Sequence, residues 1–339
     1  MSKYKKFFSR YVLAYILFAP IIIAAIVFLY VFCIHSTVKK STVFEVVRGD
    51  SVTGVANRLK KNNLIDSKDS FIALVRFNGG KIQSGQYDIP ASASLWRITR
   101  MLVTGDVATT TIVVPEGLTV KQIKNLLLQN PELRGAVECD DNKSRPVCNL
   151  KEGQIFPDTY RVAHGTNRLA VLELMRKKMV DVNNHMRVAY RVLPKPLKNW
   201  DDVITLASVV QKETPIVREM PIVASVYLNR LNKGMRLQAD PTVVYAVTNG
   251  LGDMQGKPLL SSHLKENSPY NTYRNSGLPP TPIANVGQNA IRAVMRPADT
   301  NFLFFVADGQ GGHRFSVDYE QHKKNHNAWR EIKKSKNNF

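Results

Sequence analysis

The sequence predicts an α+β fold: a single N-terminal transmembrane helix, a small α+β module, and then a larger mixed α/β domain that carries the chemistry. Three observations predict it. Residues 11–38 contain no charged side chain, short β-branched runs alternate with stretches of helical apolar spacing, and glycine and proline punctuate the boundaries between them. The chain has 339 residues, 44% of them hydrophobic, which suits a packed core and excludes native disorder over most of its length. Three cysteines exclude a disulfide-rich mini-scaffold, and 19 Gly and 17 Pro, thinly spread, exclude a collagen or linker protein.

The N-terminal run is densest from Val12 to Ile34, VLAYILFAPIIIAAIVFLYVFCI. At ~1.5 Å per residue it extends roughly 35 Å, enough for a hydrocarbon core of ~30 Å with modest tilt. Tyr11, Tyr15 and Tyr30 lie near its ends, where amphipathic rings favour the interface, and Pro20 is tolerated within a membrane. The run exceeds the ~7–15 residues of a signal-peptide core, and no small-x-small cleavage site follows, so a retained anchor is expected. Lys3, Lys5, Lys6 and Arg10 precede the span and only Lys39 and Lys40 follow it closely, which keeps residues 1–10 in the cytoplasm and sends the rest outside.

With 47 Lys+Arg against 27 Asp+Glu the net charge is +20, which fits nucleic acid, an anionic membrane face or an anionic polymer. The exterior placement leaves phospholipid head groups or an acidic extracellular polymer, and no nucleic acid. Cys33 falls in the span. Cys139 and Cys148 bracket a polar loop, and a disulfide between them is expected, worth about 2–3 kcal/mol on the chain-entropy model.

After the anchor, Thr42–Val47 reads as a strand and Ser51 as the cap of a helix with Val52, Val55, Ala56 and Leu59 on one face. Ser70–Phe77 is a second helix stopped by Gly79-Gly80, Gly85–Pro90 a strand, and Leu95–Val103 a helix stopped by Gly105. These make the small module, residues 43–106. A connecting β-rich segment, 107–165, opens with the strand Thr109–Val114, continues with a helix from Thr119 to Leu128, and holds the Cys139/Cys148 loop. In the third domain, 166–329, Leu169–Val180 is an amphipathic helix with Leu169, Leu172, Leu174 and Met175 apolar. Asp201-Asp202 caps a helix ending at Thr214-Pro215, Glu219–Asn232 is another, Phe302–Val306 reads as a strand buried on both faces, and Arg314–Val317 pairs back on it. Residues 330–339 read as a basic, frayed tail.

Glu213 is the first chemical candidate. It closes a hydrophobic helix with Val209 and Val210 one turn back on its own side; a carboxyl among such neighbours has its charged form disfavoured and can serve as a general acid. The plainer reading is a surface glutamate paired with Lys212 or Arg218. Two polar stretches follow, Arg236–Thr242 and Ser268–Ile283. Proline and glycine stiffen the second, and its Tyr and Asn side chains offer the flat apolar faces and hydrogen bonds that sugars need; the plainer reading is capped turns. His322 and His326 stand four apart, but Lys323 and Lys324 between them lack the glutamate of the metalloprotease pattern, so no metal site is expected.

Taken in order, LASVVQKET, ASVYLNRL, RLQADPTV, SPYNTYRNSGLPPTPIAN and FVADGQGGHRFS behind one anchor resemble the endolytic murein transglycosylases, the MltG/YceG-like family, over essentially the whole chain. The resemblance implies a LysM-like character for the small module. It also implies a lytic transglycosylase that cuts the bond between N-acetylmuramic acid and N-acetylglucosamine within nascent peptidoglycan strands, leaving 1,6-anhydro ends. Its catalytic glutamate falls on Glu213, with Gln238, Asp240, Asn271 and Tyr273 in family-like motifs as substrate-positioning residues. It implies no cofactor and a single-pass location in the bacterial inner membrane with the catalytic part periplasmic; the short tether, which keeps the cleft near the bilayer where new strands emerge, gives an expected partnership with peptidoglycan synthases. One departure stands out: the family commonly carries an acid where this chain has Gln211, about 200° around the helix from Glu213. The alternative function is a non-catalytic, membrane-tethered peptidoglycan-binding protein.

Overall fold

The structure is a computed structural model that describes residues 19–23, 26, 36–139 and 146–337. The expected cytoplasmic residues 1–10 and most of the expected membrane segment 11–38 lie outside them; among the described residues no helix is long and apolar enough to cross a membrane. The fold is α+β with small sheets, in two compact units. One unit runs to Thr110 and takes in Arg161–Gly165; the other comprises Thr111–Tyr160 and the chain from Thr166 onward.

In the first unit β1 (Thr42–Val46) pairs antiparallel with β2 (Gly85–Ile89), with Phe44 opposite Tyr87. Helices α1 (Val52–Lys61), α2 (Lys68–Phe77) and α3 (Leu95–Thr104) begin on Ser51, Ser67 and Ser94, each side chain accepting an N–H of the first turn. Gly105 closes α3 in the left-handed conformation, where a side chain would be strained. Val55, Leu59, Phe71, Tyr87, Ile89, Ile98 and Leu102 are fully buried between helices and sheet. Each large apolar side chain so buried contributes about 1.5–3 kcal/mol.

A second two-stranded sheet joins β3 (Thr109–Val113) and β4 (Thr159–Ala163). Helix α4 (Val120–Gln129) starts in a capping box between Thr119 and Gln122. Cys139 and Cys148 are joined in a disulfide, Cα to Cα 5.4 Å.

The second unit is built on helices α5 (Arg168–Ala189), α6 (Trp200–Glu213), α7 (Met220–Asn232), α8 (Asp240–Val247) and α9 (Gln288–Met295), with a hairpin of β5 (Phe304–Ala307) and β6 (His313–Ser316) and the closing helix α10 (Tyr319–Asn337). Every residue of α6 from Val203 to Val210 is buried, so this helix is the core of the unit rather than one wall of it; α9 packs on both α6 and α7.

Four features differ from the sequence reading. Helix α5 runs nine residues beyond Val180, to Ala189, and its Leu174 is 45% exposed rather than part of the packed face. Strand β5 begins at Phe304 and is half-buried throughout, because a two-stranded hairpin covered by α10 has no second sheet neighbour to bury its other side. Helix α8 begins inside the polar stretch Arg236–Thr242, and α9 lies where no element was expected. The basic tail continues α10 as far as Asn337: lysine is a good helix former and its charge suits a helix C-terminus.

Candidate active site

Glu213 is the last residue of α6. The helix starts on Asn199, whose Oδ1 accepts the N–H of Asp202 at 2.9 Å, and Asp201 and Asp202 in its first turn suit the positive end of the helix dipole. It stops because Thr214 precedes Pro215 and is extended, as the residue before a proline prefers. The carboxyl is thereby delivered from a rigid core helix to its end. Ser208, one turn earlier, ties α6 to the loop before α9: its Oγ donates to Thr205 O at 2.7 Å and accepts Ile283 N–H at 3.0 Å.

Helix α7 supplies the partners. Tyr227, 1% exposed, donates its hydroxyl to Oε1 of Glu213. Oε2 has no hydrogen-bond partner among the described residues. Arg230, three residues on and 7% exposed, is fixed by backbone carbonyls: Nε donates to Leu303 O at 2.6 Å and an Nη to Leu237 O at 2.7 Å. Its guanidinium lies over the Phe304 ring, 5.2 Å from the centroid. Burial is the main force on Glu213 and raises its pKa to about 7; the charge of Asp240 pushes the same way, while the Tyr227 hydroxyl and the Arg230 charge oppose. Burial and the nearby Glu213 charge raise the Tyr227 hydroxyl well above its usual range, so it stays a donor.

Asp240 is the first residue of α8, and Tyr273 donates its hydroxyl to Oδ1 of Asp240 at 2.5 Å. Burial, followed by that hydrogen bond, raises the Tyr273 pKa. Glu213, Tyr227, Arg230, Asp240 and Tyr273 thus form one electrostatic group. Gln238 is exposed beside it, with a left-handed backbone at φ 49° and its N–H donated to Thr272 O at 3.2 Å. Asn271 takes another role than the one expected from its motif. It is fully buried: Nδ2 donates to Leu264 O at 3.0 Å and Glu266 O at 2.8 Å, and Oδ1 accepts Tyr273 N–H at 3.0 Å. Asn271 therefore staples the loop that presents Tyr273.

Gln211 points elsewhere, as its helical angle requires. Its Oε1 accepts the N–H of Gly287, the cap of α9, at 3.1 Å, a task a carboxylate oxygen performs equally. Gly287 lies so close to Glu116 that a Cβ there would fall 1.7 Å from a carboxylate oxygen.

Sequence reasoning missed Tyr227 and Arg230 as partners of the acid; their signal was an i, i+3 pair of polar groups on a largely apolar helix. It missed Glu152 too. Burial raises that carboxyl to about 7, and its Oε2 accepts from Val120 N–H at 2.9 Å and Asn285 Nδ2 at 3.2 Å. Among the described residues no group of His, Cys, Asp or Glu gathers that could hold a metal ion. His322 instead stacks on Phe304 at 5.1 Å.

The model of the YceG-like family matches residues 44–328. The chain belongs to the YceG-like family. Among its relatives, this YceG-like chain is 29% identical over 310 residues to the endolytic murein transglycosylase of Bacillus subtilis (strain 168), covering 84% of each chain. It is 23% identical to the endolytic murein transglycosylase of Streptococcus pneumoniae (strain ATCC BAA-255 / R6), where the match takes in 94% of this chain and 64% of the pneumococcal protein. A 2.6 Å crystal structure of a YceG-like protein from Listeria monocytogenes is similar at 27% identity and a TM-score of 0.50, over 84% of this chain and 99% of that one.

Proposed function

We propose that this chain is an endolytic peptidoglycan lytic transglycosylase in which Glu213 acts first as acid and then as base. The observation that carries the reading is a glutamate at the end of a core helix, its pKa raised to about 7 by burial, with one carboxyl oxygen held by Tyr227 and the other without a hydrogen-bond partner among the described residues. The protonated Glu213 gives its hydrogen to the glycosidic oxygen as the bond from the muramic anomeric carbon breaks. The muramic 6-hydroxyl attacks that carbon, and its proton passes to the Glu213 carboxylate, which restores the acid. Atoms balance without water, and the new end is a 1,6-anhydro sugar. Ordinary glycosidases need a second carboxylate as nucleophile or base; an internal hydroxyl replaces it here, and making the attack intramolecular removes much of the entropic barrier. General acid–base assistance accounts for about 10²–10⁴-fold. Tyr227 orients the acid, and Asp240, Tyr273 and Gln238 border it where sugar hydroxyls and acetamides need partners.

The same reading places a membrane anchor at residues 11–38 in the bacterial inner membrane, a LysM-like module at 43–106 and the catalytic part, 166–329, in the periplasm against nascent strands. It includes a partnership with the synthases, which crosslinking and co-purification test. The names of the Bacillus and Streptococcus relatives and the catalytic geometry support the chemistry.

The test is mass analysis of muropeptides after incubation of purified peptidoglycan with the full chain. Anhydro ends, lost in Glu213→Gln, are expected. Sacculus binding without new ends would establish the non-catalytic tether instead, and ends carrying an added water a hydrolase.

A further inference from the structure

Within the second unit, a cleft of about 540 Å³ lies between α5, the first half of α6, the turn at Lys151–Gln154 and the loop at Pro280–Pro282. Its polar lining is unusual for what is left unpaired. Trp200 is 8% exposed and donates Nε1–H to Asn183 Oδ1 at 3.1 Å, which fixes the Asn183 amide and leaves its NH₂ without a partner among the described residues. The Arg187 guanidinium lies over the Trp200 ring, 5.4 Å from the centroid, so its plane is held while its N–H groups make no ion pair among the described residues. Lys151 and Asp201 are exposed and equally without a side-chain partner there. The two remaining charged groups of the lining are already engaged: Arg176 makes two 2.8 Å bonds to Glu173, and Glu152 takes the Val120 and Asn285 donors described above. Among the described residues, the cleft therefore offers two cations, one carboxylate and an amide donor without side-chain partners around an indole.

Two connections tie this cleft to the acid. Thr205 lines it and precedes Glu213 by eight residues on the same rigid helix, about 12 Å along the axis. The loop that presents Tyr273 to Asp240 continues to Thr281 and Pro282 in the cleft wall, and the Tyr270 hydroxyl bonds Thr281 Oγ1 at 2.7 Å. The cleft and the acid are thus fixed to each other by one helix and one loop.

We infer that the cleft is a subsite for an acidic, amine-bearing peptide branch of the glycan, the stem peptide, with Arg187 and Lys151 taking its carboxylates and Asp201 its ammonium group. This deepens the proposed function and rests on it for the identity of the polymer. Charge-assisted bonds to two carboxylates favour such a branch over a neutral sugar.

The test uses the full chain in detergent and two readouts. The first is direct binding of a soluble stem peptide with free carboxylates and one free amine, compared with the same peptide amidated at its carboxylates and with inorganic phosphate. Affinity is expected to fall about tenfold on amidation and about tenfold in Arg187→Ala, with a smaller loss in Lys151→Ala, no change in Glu213→Gln, and no competition from equimolar phosphate. The second is cleavage of stem-bearing glycan against glycan stripped of its peptides: Arg187→Ala is expected to raise KM about tenfold on the first and leave the second unchanged. Arg187 is exposed, and an unchanged melting temperature of the variant certifies its fold. Unchanged peptide affinity in Arg187→Ala and Lys151→Ala, full competition by phosphate, or equal loss on both glycans overturns the inference. A wild-type chain that binds the peptide but makes no anhydro ends overturns the proposed function and leaves the peptide site standing.

Discussion

The Tyr227 hydroxyl on α7 donates to the Glu213 carboxyl at the end of α6, so the acid is oriented by a second helix and not by its own. Because the bond favours the charged carboxylate, it opposes the burial that raises the Glu213 pKa. Tyr227→Phe is expected to move that pKa above its value of about 7 and to lower kcat about tenfold through lost orientation. A pH–rate profile checks the direction; an alkaline limb that stays in place, with kcat intact, removes Tyr227 from the mechanism.

Asp240→Asn is expected to act in the opposite sense. Removing the negative charge takes away a force that raises Glu213, so the alkaline limb of kcat/KM moves to lower pH, while the Tyr273 hydroxyl keeps an acceptor in the asparagine oxygen. The two variants together separate electrostatics from general damage, which would shift both profiles alike.

For the unaltered chain, kcat/KM is expected to decline above pH of about 7, as Glu213, the proposed acid, loses its proton. Titration against peptidoglycan fragments measures it. A rate still rising through pH 9 is incompatible with a protonated Glu213 as the acid.

Stability carries the same signature. A carboxyl whose pKa rises from 4.5 to about 7 on folding contributes stability that is whole below 4.5 and lost as pH climbs through 7. Glu213→Gln escapes that loss, and glutamine still accepts from Tyr227. The variant is expected to match the native chain at pH 4 and exceed it by roughly 1–3 kcal/mol at pH 8.5. Denaturant unfolding at the two pH values decides, and Glu152, which is raised likewise, leaves a residual pH dependence in both chains.

Much of this was legible beforehand, and the rest was hidden for identifiable reasons. Caps and apolar spacing located α1 to α4, α6 and α7, and Val209 and Val210 marked Glu213 as a carboxyl in apolar company. Helix α8 was concealed because its Asp-Pro start looks like a turn, although proline fits the first turn of a helix. Asn271 misled because an asparagine in a rigid polar loop reads alike whether it faces a ligand or the loop's own carbonyls. The pairing of Tyr227 with Glu213 depends on how two helices meet, which no local pattern encodes.

Gln211→Glu is expected to leave cleavage near normal, since a carboxylate oxygen also accepts the Gly287 N–H, whereas Gln211→Ala is expected to lose about 0.5–1.5 kcal/mol of stability with kcat preserved. Loss of kcat in the alanine variant at unchanged stability would give position 211 a chemical role.

The near-collision of Gly287 with Glu116 has a practical corollary. A methyl group at 287 meets only the far end of the Glu116 side chain, which is exposed and can swing into solvent, and Gly287 itself has an ordinary φ of -80°. In a saturation screen, position 287 should therefore accept alanine at little cost, and an engineer could use it to shift the Glu116 charge without touching the backbone.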